Sequence, residues 1–154
     1  MPLYFAYGSN MESRQMVSRC PSAQFANKAI LDGYRVTFPL MSSRWQGGAA
    51  SVEPDESGCV EGVVYEMDEV DFEPLDRFEG IAKDRYYRCT IPVRLADGQR
   101  VEPEIYIANP EPGAPFSPNS GYLNQMIVGA EEHGLSGAYI VMLKAIETTD
   151  KSGC

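Results

Sequence analysis

Three features of this 154-residue chain predict an α+β fold, a small mixed curled β-sheet or β-barrel of about six strands flanked by short helices. Extended, strand-forming segments recur along the chain and are interrupted only by isolated helical patterns. Residues 23–40 form one long extended stretch with a break at Asp32-Gly33, which suits a curved sheet. No regular strand-helix alternation and no internal repeat is present. Residues 1–147 read as a single domain, because no linker or composition shift divides them, and the polar residues 148–154 read as a flexible C-terminal tail.

The first strand is Leu3-Tyr4-Phe5-Ala6-Tyr7, which stops abruptly at Gly8-Ser9-Asn10. Gly8 can take positive φ there and lets another backbone or a ligand come close, while Ser9 or Asn10 can cap a helix over residues 11–20. Met11, Met16 and Val17 are its expected inner residues, and Pro21 ends it. A strand feeding a helix through three small polar residues leaves N–H groups that attract negative charge. The plainer alternative is an ordinary strand-turn-helix joint.

After the long stretch 23–40, residues 42–48 read as a loop holding the single tryptophan, Trp45, as a packing anchor beside Gly47-Gly48. Residues 49–52 and 59–67 read as two antiparallel strands joined by a turn at 54–58. Extended segments 86–95 and 101–108 are expected to meet in a hairpin across Asp97-Gly98. Residues 109–120 carry four prolines and read as an ordered loop over one end of the sheet. Two helices close the chain. The first, over 122–133, turns Leu123, Ile127 and Ala130 inward and stops at Gly134; the second, over 136–146, buries Ile140, Leu143 and Ala145 or Ile146.

One short helix between the strands carries the main chemical signal. It begins near Asp68 and is stopped by Gly80. On a wheel of about 100° per residue, Phe72, Leu75 and Glu79 share one face, so the glutamate points where the apolar side chains point. Desolvation there raises a carboxyl pKa toward the range useful for proton transfer. A glutamate curling from the helix end into solvent is the alternative.

Tyr7-Gly8-Ser9-Asn10, Trp45-Gln46-Gly47-Gly48, Gly62-Val63-Val64-Tyr65 and Leu75-Asp76-Arg77-Phe78-Glu79-Gly80, taken in order, resemble the gamma-glutamyl cyclotransferase family. Tyr86, Ser117-Pro118, Tyr122 and Gly129-Ala130 extend the likeness over nearly the whole chain. The resemblance implies a cofactor-independent, metal-free enzyme in which a substrate's own α-amine attacks its γ-carbonyl, releasing 5-oxoproline. Glu79 is implied as the general acid/base, and Tyr7, Gly8, Ser9, Asn10, Tyr86 and Tyr122 as substrate-binding residues. For Tyr86 and Tyr122 simple core packing is the competing role, since nine tyrosines are present. The leaving group stays open between an amino acid and an amine, and a non-catalytic ligand-binding relative is the rival of another class. The resemblance is compatible with a homodimer.

Composition narrows the remaining classes. A net charge of −9 and a pI near 4.6 disfavour nucleic acid and anionic membranes as partners. Cys20, Cys59, Cys89 and Cys154 are far apart, with no Cys-x-x-Cys pair, which points to reduced thiols in the cytoplasm. Neither a signal core nor a membrane-length apolar run is expected. His133, the sole histidine, falls in a helix's last turn, no Gly-x-Ser-x-Gly elbow occurs, and Gly47-Gly48 is too sparse for a phosphate loop.

Overall fold

Seven strands and four helices form the α+β architecture in a computed structural model that describes residues 2–150. The strands are β1 (Leu3–Ala6), β2 (Gln24–Ser42), β3 (Gly47–Glu66), β4 (Tyr86–Thr90), β5 (Val93–Leu95), β6 (Arg100–Val101) and β7 (Glu104–Ala108). The helices are α1 (Ser13–Arg19), α2 (Phe72–Phe78), α3 (Ser120–Glu132) and α4 (Gly137–Lys144). One sheet holds all seven strands in the order β4-β7-β1-β3-β2-β5-β6, with only β1 and β7 parallel. β4 and β5 are separated by just Ile91-Pro92, yet they lie near opposite ends of that order. The sheet must therefore curl until its two ends approach.

The two long strands differ from the sequence expectation. Residues 49–52 and 59–67 are halves of a single strand, β3, and both pair with β2. The expected turn at 54–58 is a bulge: the register passes from Tyr34↔Pro54 to Asp32↔Cys59, opposite Gly33 at φ 81°. Glycine in β2 bends one strand while the extra residues in β3 bend the other, so pairing survives where a reversal was expected. The Asp97-Gly98 hairpin forms, with Val93 opposite Val101 and Arg94 opposite Arg100. Its two arms break at Pro92 and Pro103, which lack the N–H that continued pairing needs. The outer parts, β4 and β7, pair with each other through Tyr86↔Ala108 to Thr90↔Glu104.

Before α1 a 3-10 turn covers Ser9–Met11, and Glu12 caps the helix by accepting the Gln15 N–H at 2.8 Å. Ser9 and Asn10 are thus free of the capping role expected of them. Met11 and Met16 are buried, but Val17, about 100° round α1 from Met16, is 46 % exposed. The core lies between the concave face of the sheet and helices α1 to α3, around Phe5, Tyr65, Met67, Leu75, Ile105 and Met126. Gly129 brings α3 against the 3-10 turn; a Cβ there would sit 2.6 Å from the Glu12 nitrogen and the Met11 carbonyl carbon. Leu123, Ala130 and Leu143 are buried as expected, Ile127, Ile140 and Ile146 pack partly, and Tyr139 joins the inner face of α4.

Loop 109–119 is stitched to the sheet end. Glu111 and Phe116 donate to the carbonyls of Pro39 and Phe38, and Gly48 donates to that of Ser117. The Gly47-Gly48 pair serves this seam, since side chains there would run into residues 116–119. Part of the expected tail is anchored too: Thr149 donates to the Pro118 carbonyl and the Asp150 carboxylate accepts from Ser120. Residues 151–154 of that tail, including Cys154, lie outside the described residues. No helix among the described residues is long and apolar enough to cross a membrane.

Candidate active site

β1 runs inside the sheet between β3 and β7 and delivers Gly8, Ser9 and Asn10 to a small chamber of about 30 Å³. Tyr7, Gly8, Ser9, Asn10, Glu79, Tyr86 and Tyr122 all line it, joined by Tyr4, Ala50 and Tyr106. Every site residue expected from the sequence therefore faces one space. Ser9, Glu79, Tyr86 and Tyr122 also line a wider outer cleft of about 580 Å³, so chamber and cleft share these walls. Gly8 has φ −111°, an ordinary negative value, so it does not use the left-handed region open to it. A Cβ there would come into van der Waals contact with the Tyr122 hydroxyl at 3.4 Å, so glycine leaves the space beside that hydroxyl open.

Glu79 immediately follows α2. Its N–H still bonds to the Leu75 carbonyl, and Gly80 at φ 67° then turns the chain away. The residue is half-buried, and what access it has is to the chamber and cleft that it lines. Burial pushes its carboxyl up to about 7; Arg19 pulls it down, and Asp76 pushes it up further. Among the described residues no hydrogen bond contributes to this balance, and the carboxyl group lines the cavity without a hydrogen-bond partner there.

A network fixes the elbow around Glu79. The Asn10 Oδ1 accepts from Gln15 Nε2 and from Arg19, both at 2.9 Å, and its Nδ2 donates to the Tyr4 hydroxyl at 3.1 Å. Ser9 Oγ accepts from Gln15 Nε2 at 2.7 Å. Side chains at Ser9 and Asn10 are thus committed to structure, leaving their N–H groups at the start of a helical turn that has no internal acceptor for them. Behind the glutamate, Asp76 accepts from the Tyr106 hydroxyl at 2.6 Å and pairs with Arg88 at 3.3 Å. The Tyr7 hydroxyl donates to the Tyr106 carbonyl at 2.6 Å.

Ala50 explains the two remaining tyrosines. The β2–β3 register shifts between Thr37 and Leu40, beside Pro39, which has no N–H to give. Ala50 lies opposite this irregularity. Its N–H donates to the Tyr122 hydroxyl at 2.9 Å, and its carbonyl accepts from the Tyr86 hydroxyl at 2.6 Å. Burial pushes both phenols, and that of Tyr7, above the ordinary tyrosine value, so all three remain neutral. A bulge beside a cavity has here freed the backbone N–H and C=O of one residue to hold two aromatic walls.

Residues that the sequence reading passed over complete the outer cleft: Arg19, Arg44, Phe78, Lys83, Arg85 and Glu111. Trp45 lines it as well, packing edge-on against Tyr122 at 5.3 Å, so the anchor is also a wall. Arg19 carried a readable signal, since Gln15 and Arg19 stand four apart on α1 and so share a face that can reach back to Asn10. His133 lies outside both cavities. It caps α3, stacks on Phe25 at 4.6 Å and meets Ser13 Oγ at 3.1 Å. Glu132 approaches the same Nε2, and among the described residues no carboxylate pairs with the far nitrogen, where a nucleophile-activating triad requires one. Among the described residues no cluster of His, Cys, Asp or Glu is placed to hold a metal ion.

A sequence model of the AIG2-like family matches residues 59–143, the half of the chain that includes Glu79, Tyr86 and Tyr122. Over 155 aligned residues the chain is 35 % identical to the gamma-glutamylcyclotransferase of Mus musculus, covering 98 % of this chain and 81 % of that one. The chain belongs to the gamma-glutamylcyclotransferase family. The Homo sapiens gamma-glutamylcyclotransferase is 34 % identical with the same coverage. A solved gamma-glutamyl cyclotransferase structure superposes with a TM-score of 0.93 at 30 % identity, spanning 99 % of this chain and 92 % of the other. The cyclotransferase fold thus extends over essentially all the described residues, chamber and cleft included.

Proposed function

We propose that the chain is a gamma-glutamyl cyclotransferase, converting a gamma-glutamyl amino acid into 5-oxoproline and the free amino acid, with Glu79 as general acid and base. The observation that carries this reading is an unpartnered carboxyl group, pushed up to about 7, lining both the elbow chamber and the outer cleft. Such a pKa lets one group accept a proton and return it near neutrality. The substrate's α-amine attacks its own γ-carbonyl carbon, forming the ring C–N bond, and Glu79 takes one proton from that nitrogen. The bond from the γ-carbon to the leaving nitrogen then breaks as Glu79 passes the proton on, so the carboxylate ends as it began. No water is consumed.

Both reacting groups belong to one molecule, so the cavity's main task is to hold the glutamyl portion folded back on itself. The elbow N–H groups donate to the glutamyl oxygens, while the Tyr7, Tyr86 and Tyr122 walls enclose the aliphatic part. Reactions of this kind build up negative charge on the carbonyl oxygen, which N–H donors fixed in advance stabilise. The free thiols of Cys20, Cys59 and Cys89 support a reducing, cytoplasmic setting.

The test is 5-oxoproline release from gamma-glutamyl-L-alanine by the purified full chain. Stoichiometric 5-oxoproline and alanine are expected. Substrate binding without product across a panel of gamma-glutamyl compounds would replace the enzyme with a binding protein.

A further inference from the structure

Charge in the outer cleft runs against the rest of the molecule. The chain as a whole carries −9, yet the cleft is lined by Arg19, Arg44, Lys83 and Arg85 against only Glu79 and Glu111. Most of these charges are already committed. Arg85 pairs with Glu111 at 3.1 Å and donates to the Met41 carbonyl at 2.8 Å, which neutralises both residues of the pair. Arg19 is tied to Asn10 at the elbow. Arg44, in the exposed turn between β2 and β3, makes no hydrogen bond or ion pair among the described residues; its one close partner is the ring of Phe78, 5.2 Å from the guanidinium carbon. Arg19 lies over the same ring at 4.3 Å.

Two guanidinium groups on one ring repel each other, and Arg44 lowers the pKa of Arg19, adding to the larger effect of burial. An anion bound between them relieves that repulsion. Phe78, 46 % exposed despite being aromatic, supplies an apolar platform at the same point. Resting on the cyclotransferase reading, we propose that Arg44 is a specificity-determining residue that binds the carboxylate of the leaving amino acid, whose side chain lies on Phe78. Glu79 lies on the wall between chamber and outer cleft, so the scissile amide is placed there and the leaving half extends outward toward the mouth. Lys83, also in the cleft and without an ion pair among the described residues, reinforces the positive field. The site then selects amino acids over uncharged or cationic amines.

The experiment compares kcat/KM for gamma-glutamyl-L-alanine with that for gamma-glutamyl-L-alaninamide, which has nearly the same shape and the same glutamyl α-carboxylate but no carboxylate on its leaving half. In the unaltered enzyme the acid is expected to be favoured by roughly 10- to 100-fold, the worth of one charge-assisted contact. Arg44→Met is expected to lower that ratio at least tenfold, chiefly through KM for the acid, and Arg44→Lys to restore part of it. A ratio near one in the unaltered enzyme, or one unchanged in both Arg44→Met and the Arg44→Met/Lys83→Met double variant, refutes the subsite while leaving the cyclisation reading intact. Failure of the unaltered enzyme to release 5-oxoproline from either compound refutes the cyclisation reading and the subsite with it.

Discussion

Replacing Glu79 by glutamine separates two consequences of the same burial. The change keeps size and shape but removes both the charge and the ability to carry a proton. Folding raises the carboxyl from its ordinary value of 4.5 to about 7, so the native state holds this proton more tightly than the unfolded chain. The group's favourable contribution is therefore complete below the unfolded value and is lost as pH rises through about 7. The gap corresponds to roughly 3 kcal/mol of stability withdrawn by pH 8.5, an upper figure because the carboxyl retains access to the cleft. Glutamine escapes this cost. At about 2–4 °C per kcal/mol for a chain of this size, the variant should melt up to roughly 10 °C higher than the parent at pH 8.5, and at nearly the same temperature at pH 4. Turnover should meanwhile fall by about 10²–10⁴-fold, the usual worth of a positioned acid-base group. Thermal melts at the two pH values and a 5-oxoproline assay measure both effects. A melting difference independent of pH would refute the burial argument, and a variant turning over at the parental rate would remove Glu79 from the chemistry.

Two further outcomes follow from the surrounding network. Asp76→Asn removes a negative charge that raises the Glu79 carboxyl, so the acid limb of the kcat/KM profile should move to lower pH; a stationary limb would show that Asp76 does not act on Glu79. Tyr122→Phe leaves the buried Ala50 N–H without its acceptor, at about 1–3 kcal/mol, which calorimetry should record as a melting point lower by roughly 3–10 °C; an unchanged value would refute that hydrogen bond's role.

How far the sequence could be read depended on whether the relevant cause was local. Glu79 was legible because helical phase alone carries it to the side of Phe72 and Leu75, and the curled sheet was legible from the long bent stretch with Gly33. The continuity of β3 was not, because residues 54–58 carry turn chemistry in Pro54, Asp55 and Gly58, and only pairing to β2 keeps the strand running. Val17 lies outside because it stands about 100° round α1 from buried Met16, and which of the two turns inward is set by packing from elsewhere in the chain. The basic cleft drew Arg19, Arg44, Lys83 and Arg85 from three separate segments, and no spacing rule connects them. Ala50 was invisible for the same reason: its importance lies in backbone groups released by Pro39 on another strand.

The position of β1 bears on how selectivity can change in descendants of this chain. The elbow is carried by a strand hemmed in on both sides, next to buried side chains that tolerate few replacements. Arg44 and Lys83 belong to short exposed connections where substitution disturbs little. On the proposed reading, the bond-making parts are thus built into the least negotiable portion of the molecule, and the parts that meet the departing group into the most negotiable. New substrate preferences can therefore arise by exchanging a few rim residues, while the ring-closing apparatus is inherited intact.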